Sequence, residues 1–460
     1  MSGSLRLREI IDGQRVSRFH IGIVAMCFAT VVIDGFDTQA IGYVAPGLVA
    51  HLGVDHGAFG PVFGAGLAGV LVGSLLLGII ADRCGRKATL LAGLALFGVG
   101  TLATTFADSL RGLELLRFVT GIGLGGAMPN ALALMSDYTP KKSRTLLAAI
   151  MLCGFPVGAA LGGLLAAALI ADLGWPAVFY FGGLVPLAML PVLAAFLPES
   201  PAFLLLRPSG QQRMRRLLAR IDPGTTVPAG SSFSFVDETA KRFPVGALFA
   251  GGRAVFTTVL WCAFGMNLMV MYFLSSWMPT VISVAGLTVT QAVVATSLFQ
   301  VGGIVGALCL GALVDRLGPV ILVATYACAP ILLILLGIAS VSPLWLMMLL
   351  AMVGFCVVGG QTGTNAFTGG AYPSSIRATG AGWALGIGRL GSIAGSMIGG
   401  ILVGWHWPIS TLFLTLAAPS ALATIALWCA VRTRPSVAAG RLDDLQVSGQ
   451  AVRHDYAPVE

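Results

Sequence analysis

A 460-residue chain that is 57% hydrophobic and only 10% charged, with a mean hydropathy of +0.90, is not a soluble domain, in which about 25% of residues carry charge. The eight cysteines are scattered, with no Cys-x-x-Cys pair and no Cys/His cluster, which argues against a disulfide framework and against a bound metal. The formal net charge of +8 needs no nucleic-acid partner, because membrane topology and an anionic inner leaflet account for it.

Residues 1–19 are polar and basic and lack the short apolar core and cleavage site of a signal peptide, so they read as a tail. Twelve hydrophobic spans follow, approximately 20–44, 58–80, 87–107, 111–135, 145–170, 176–197, 254–278, 290–313, 320–340, 343–368, 379–403 and 408–431. A polar interval at 198–252, carrying Arg213, Arg215, Arg216, Arg220, Lys241 and Arg242, divides them into six-helix bundles at 20–197 and 253–431. Residues 432–460 form a second tail. Of the 27 Lys and Arg residues, all but Arg111, Arg117 and Arg389 fall on the side of the two tails. Both termini are therefore expected in the cytoplasm of a multi-pass inner-membrane protein.

The first span contains Asp34-Gly35-Phe36-Asp37. A charge at bilayer centre costs about 2.5 to 3.5 kcal/mol, so two within one turn mark a helix lining a polar path, not an anchor. Asp34 and Asp37 share a helix face, and two like charges so close oppose double ionisation. One of them, Asp34 by a small margin, is expected to hold a proton and release it when the cavity opens inward. Arg117 in span 4 lies at a similar depth and supplies the opposing charge. The alternative is a static Asp–Arg bridge between spans 1 and 4, while Glu114 and Arg117 read as a helix-surface pair. No histidine falls near mid-membrane, which argues against a histidine relay.

In span 11, Arg389 sits in Gly386-Ile387-Gly388-Arg389-Leu390-Gly391-Ser392, and the C-terminal half has no mid-span acid to pair with it. Its planar fork grips a carboxylate bidentately and does not deprotonate, which points to an anionic substrate. Phe36, Tyr272, Trp277 and Trp383 are candidate ring walls, and Asn267, Gln300, Gln361 and Asn365 are candidate hydrogen-bonding groups. The competing roles are lipid-facing aromatics and amides that bond across helices.

The chain repeats itself. Gly78-Ile79-Ile80-Ala81-Asp82-Arg83-Cys84-Gly85-Arg86-Lys87 follows span 2, and Gly311-Ala312-Leu313-Val314-Asp315-Arg316-Leu317-Gly318 follows span 8. Two parallel six-helix repeats are the natural reading, with substrate near mid-membrane.

The 78–87 segment resembles the loop 2–3 motif of the major facilitator superfamily, and the likeness extends along nearly the whole chain. Four further segments narrow it: Asp34-Gly35-Phe36-Asp37, the span 4 run from Arg117 to Asn130, Pro198-Glu199-Ser200-Pro201, and Tyr272 to Pro279. Together they resemble the aromatic acid/proton symporters. The resemblance implies an all-α integral membrane protein with the major facilitator fold, twelve transmembrane helices in two pseudo-symmetric six-helix bundles. It implies import of a small aromatic carboxylate of the hydroxybenzoate, protocatechuate or benzoate class by proton symport. Alternating access by a monomer in the lipid bilayer would serve, with no cofactor and no covalent chemistry.

The same resemblance implies a conformational gate formed by Gly78, Asp82, Arg83, Gly85 and Arg86, with Asp315 and Arg316 in the second copy. Asp82 and Arg86 would lock the ends of neighbouring helices. Pro319 replaces the basic residue that follows in the second copy, so any lock there should be weaker. The alternative function is export of a drug or metabolite by proton antiport, since Gly154-Phe155-Pro156 partly resembles the antiporter motif of span 5. A receptor lacks a visible signalling domain, and an enzyme lacks a nucleophile–base constellation.

Overall fold

In hydrocarbon the backbone N–H and C=O groups of an apolar run have only each other as partners, and the helix is the local solution. The computed structural model describes residues 4–206, 209–221, 232–234, 245–338, 342–373 and 376–434. Among them, twelve helices are long and apolar enough to cross a membrane, which makes this a multi-pass membrane protein. They are α1 (Arg18–Leu52), α2 (Gly60–Cys84), α3 (Arg86–Thr104), α4 (Leu110–Tyr138), α5 (Lys141–Leu173) and α6 (Pro176–Phe196). The second six are α7 (Ala254–Val284), α8 (Val289–Leu317), α9 (Val320–Ile338), α10 (Pro343–Ala371), α11 (Arg377–Gly404) and α12 (Ile409–Arg432). α10 is interrupted by a π-helical turn at Phe355–Gly359.

The protein forms two compact units. One comprises Met1–Asp237, Leu274–Gln300 and Ser396–His406, and the other Glu238–Phe273, Val301–Gly395 and Trp407–Glu460. In the first unit the far parts of α7 and α11 pack with the N-terminal helices: the Trp277 indole N–H donates to the Ser396 carbonyl at 2.8 Å, and its ring meets Phe63 edge-on.

Equivalent helix crossings in each unit use glycine in the same way. A Cβ on Gly35 of α1 would overlap the Phe155 carbonyl oxygen of α5, and a Cβ on Gly391 of α11 would overlap the Gly265 carbonyl oxygen of α7. Backbones approach this closely only where the side chain is missing. Helices one and five of the first six, and one and five of the second six, thus cross in the same manner, as the internal repeat predicts.

The tail at 1–19 is more structured than its polarity suggests. Ser4–Arg6 pairs in parallel with Ser232–Ser234, and Leu7–Asp12 is helical. Leu7 and Ile11, one turn apart, are fully buried in a cluster with Met214 and Leu218 of the helix Gly210–Ile221, Phe233, Met135, Tyr138 and Met151. Arg144 of α5 closes the assembly, donating to the Asp12 carboxylate at 2.5 Å and to the Thr139 carbonyl at 2.9 Å. Of the polar interval, Lys241 and Arg242 lie outside the described residues, as does the tail from residue 435.

Candidate functional site

Asp37 faces inward from the middle of α1 and is fully buried. The Thr101 hydroxyl of α3 donates to its Oδ1 at 2.7 Å. Arg117 of α4, 3% exposed, places Nη2 at 3.4 Å from Asp37 Oδ2 and 3.3 Å from the Asp37 carbonyl. The approach is admitted by α6, where Gly182 faces the Phe36 ring, Thr101 and Asp37 Oδ1. Arg117 Nε and Nη1 are buried with no hydrogen-bond partner among the described residues. The guanidinium therefore spends one of its three nitrogens on Asp37 and keeps two sets of N–H unspent.

Asp34, one turn earlier, is 5% exposed and accepts from its own neighbour Thr38 at 3.3 Å. The structure thus gives Arg117 to Asp37, and it does so in place of the Glu114 pairing that helical spacing suggested. Arg117 is turned toward α1, while Glu114, one turn earlier in α4, is half-buried. Phe36 is buried against Phe181, with ring centroids 5.6 Å apart. Gln39 carries a buried, unpartnered Nε2, a feature that sequence reasoning passed over. Also in this unit, Gln300 is fully buried, with Nε2 at the long distance of 3.5 Å from the Ser275 hydroxyl and Oε1 unpartnered.

The second unit holds the other expected residues. Asn267 of α7 donates through Nδ2 to the Val357 carbonyl at 3.1 Å and to Gln361 Oε1 at 2.8 Å. Gln361 Nε2 donates to Asn365 Oδ1 at 3.0 Å. Arg389 is half-buried in α11 and makes no ion pair among the described residues. Tyr272 is half-buried. Trp383 is 41% exposed and stacks on Trp261, with centroids 5.8 Å apart. Buried Tyr326, which the sequence did not single out, receives a hydrogen bond from the Thr364 hydroxyl at 3.1 Å.

At the end of the first unit where α2 turns into α3, Gly85 sits at φ 100°, and a Cβ there would meet the Glu199 carboxylate at 2.6 Å. That turn aims Arg86 at Asp137 of α4, Nη1 to Oδ2 at 2.6 Å, and Ser200 donates to the same oxygen at 2.8 Å. Glu199 Oε1 accepts the backbone N–H of Lys87 and of Ser200, each at 2.9 Å, and its carbonyl accepts from the Tyr138 hydroxyl. Asp82 and Arg83 are exposed, and Gly78 has open space where a Cβ would stand. Arg316 is exposed, while the Asp315 side chain lies outside the described residues. Of the partners, Glu199 and Ser200 belong to the Pro198–Pro201 segment that carried the resemblance, whereas Asp137 was legible only as a residue near the end of a span.

No group of three or more metal-ligating side chains occurs among the described residues. A family model described as Major Facilitator Superfamily matches residues 27–384. The chain belongs to the major facilitator superfamily. The gallate transporter of Pseudomonas putida is 39% identical, with 92% of this chain and 94% of that protein covered. The 4-hydroxybenzoate transporter PcaK of Pseudomonas aeruginosa is 38% identical, with coverage of 92% and 95%. Among solved structures, the inward-open xylose transporter XylE from E. coli matches with a TM-score of 0.66 at 17% identity, covering 89% of this chain and 95% of that one. That likeness speaks to the fold, the major facilitator arrangement of twelve helices.

Proposed function

We propose that the protein is a proton-coupled importer of a small aromatic carboxylate, with both termini in the cytoplasm of the inner membrane. It works as a monomer, by alternating access, without covalent chemistry. The substrate class is supported by the gallate and 4-hydroxybenzoate relatives, which align over nearly the full length of both chains. The orientation is supported by the concentration of Lys and Arg on the side of the tails.

The observation that carries the coupling is the buried Asp37–Arg117 pair with its unspent donors. A proton arriving on Asp37 neutralises the carboxylate and loosens Arg117. Its departure inward restores the pair. Asp34, on the same helix face, is the second carboxylate of this path. Arg389 holds the substrate carboxylate, consistent with its lack of an acidic partner among the described residues. Phe36, Tyr272, Trp383, Asn267, Gln300 and Asn365 contribute walls and hydrogen bonds. Gly85 and Arg86, with Asp137 and Glu199, lock the cytoplasmic end. Asp82 and Arg83 face outward from the same turn, and Gly78, Asp315 and Arg316 complete the two copies of the motif.

Uptake of labelled 4-hydroxybenzoate into proteoliposomes, with and without an inwardly directed proton gradient, tests this. Accumulation that collapses with a protonophore and is lost in Asp37→Asn is expected. Uptake indifferent to the gradient would rule out symport, and no uptake of any aromatic acid would overturn the substrate class.

A further inference from the structure

The amides of Asn267, Gln361 and Asn365 form a chain whose direction is set by one backbone atom. The Val357 carbonyl only accepts, so the Asn267 amide turns its NH2 end toward it, at 3.1 Å. That same NH2 lies 2.8 Å from Gln361, which must therefore present its oxygen. Gln361 is left with its NH2 facing Asn365 at 3.0 Å, and Asn365 must answer with Oδ1. The Asn365 NH2 then points away from the chain. The assignment of nitrogen and oxygen ends follows from the network, as it does for any amide.

The chain is anchored where α10 departs from regular geometry. Val357 lies inside the π-helical turn Phe355–Gly359, a feature that loosens the regular i→i+4 ladder and recurs at functional sites. Asn267 and Gln361 are buried, at 4% and 6% exposure, whereas Asn365 is exposed. An exposed amide within a membrane-crossing helix is costly against hydrocarbon, which favours its facing a water-filled path.

We propose that Asn365 is a specificity-determining residue whose fixed NH2 donates to an oxygen on the substrate ring, with Gln361 and Asn267 as positioning residues. This rests on the reading of the protein as an aromatic-acid carrier. Asn365 is six residues from the Ala371 end of α10, about 9 Å at the helical rise, and Arg389 is twelve from the Arg377 end of α11, about 18 Å. Consecutive membrane spans run antiparallel, which puts those two ends on the same side. The difference in depth, about 9 Å along the backbone, is of the order of a benzene ring with a carboxylate at one end and a para oxygen at the other. The presented group is a donor, so the matching ring substituent is an acceptor oxygen, hydroxyl or ether, and an unsubstituted ring leaves the donor unused.

The test compares benzoate, 4-hydroxybenzoate and 4-methoxybenzoate as substrates or competitors in proteoliposomes. Asn365→Ala removes the donor, and half-saturation for both oxygen-bearing acids should rise about fivefold relative to benzoate, the value of one neutral hydrogen bond. Gln361→Glu leaves Asn365 in place but removes the NH2 that orients it, so the Asn365 amide turns its oxygen outward. It should then penalise 4-methoxybenzoate, which only accepts, more than 4-hydroxybenzoate, which also donates. The ratios within each variant cancel losses in folding or expression. Ratios equal to those of the parent protein in both variants overturn the proposal and leave the importer reading intact. Failure of the parent protein to bind any of the three acids overturns both.

Discussion

Asp37→Asn isolates the charge of the central pair with little change of shape. The new side chain keeps an oxygen for the Thr101 hydroxyl, which now sits 2.7 Å from Oδ1. The other oxygen becomes an NH2 facing Arg117 Nη2 across 3.4 Å, donor against donor. Arg117 then keeps the Asp37 carbonyl at 3.3 Å, with Nε and Nη1 already unpartnered. At 3% exposure the guanidinium has no bulk water to turn to. Removing one partner of a buried ion pair costs about 3 to 5 kcal/mol, because the remaining charge is stranded. For a 460-residue chain the entropy of unfolding is roughly 1 kcal/mol per K, so Tm should fall by about 3 to 5 °C.

The assay is thermal unfolding of purified protein in detergent for Asp37→Asn, Arg117→Met and the double variant. Arg117→Met alone leaves the Asp37 carboxylate buried with Thr101, and it should also destabilise. The double variant carries neither charge, and exchanging a buried pair for neutral groups is close to neutral. It should therefore recover most of the loss, with a coupling above about 1.5 kcal/mol, outside the range of independent sites. Additive losses, or an Asp37→Asn protein that melts with the parent, would mean that Asp37 and Arg117 do not depend on each other.

The two glycines of the 78–87 motif should behave oppositely. Gly78→Ala, in open space inside α2, should be tolerated and gain about 0.5 to 1 kcal/mol of helix stability. Gly85→Ala meets the Glu199 carboxylate at a left-handed φ and should lower both Tm and uptake. Asp137→Asn weakens the charge-assisted contact from Arg86, worth about 1.5 to 3 kcal/mol, and should speed labelling of a cysteine introduced at the same end. Ser200→Ala should have a smaller effect in the same direction. Leu7→Ala or Ile11→Ala should each cost about 2 to 5 kcal/mol in the same melts, and unaltered Tm in both would show that the N-terminal helix does not pack in solution.

The twelve spans were legible because hydrophobic length is a one-dimensional property. Their extent was less so: α1 runs to 35 residues, beyond the expected 20–44, starting after Ser17 and ending at Gly53 in a left-handed conformation. Neither cap is marked by a change in hydropathy. The packing of the tail was not legible because its apolar face is two residues, Leu7 and Ile11, and only Met214, Leu218 and Phe233 from far along the chain make it a face. The motif at 78–87 lies at the turn from α2 into α3, and its letters do not show what that turn packs against. Gly78 and Gly85 look alike in sequence, and the difference between them is one φ angle and one carboxylate.

Pairing is where sequence stops and rotation of helices begins. Asp34 and Asp37 differ by three residues on one face, and the sequence favoured Asp34 only by a small margin. Thr101 of α3 and Arg117 of α4 both contact Asp37, and neither position is set by anything within α1. The amides of the spans show the same limit more sharply. Asn267, Gln300, Gln361 and Asn365 are equal candidates as letters, each with a donor and an acceptor end. The Val357 carbonyl breaks that symmetry for three of them in succession, from Asn267 to Gln361 to Asn365. Gln300 is excluded from that order because it bonds elsewhere, to Ser275. A backbone oxygen carries no signature in the sequence, yet it determines which end of Asn365 points away from the chain of amides.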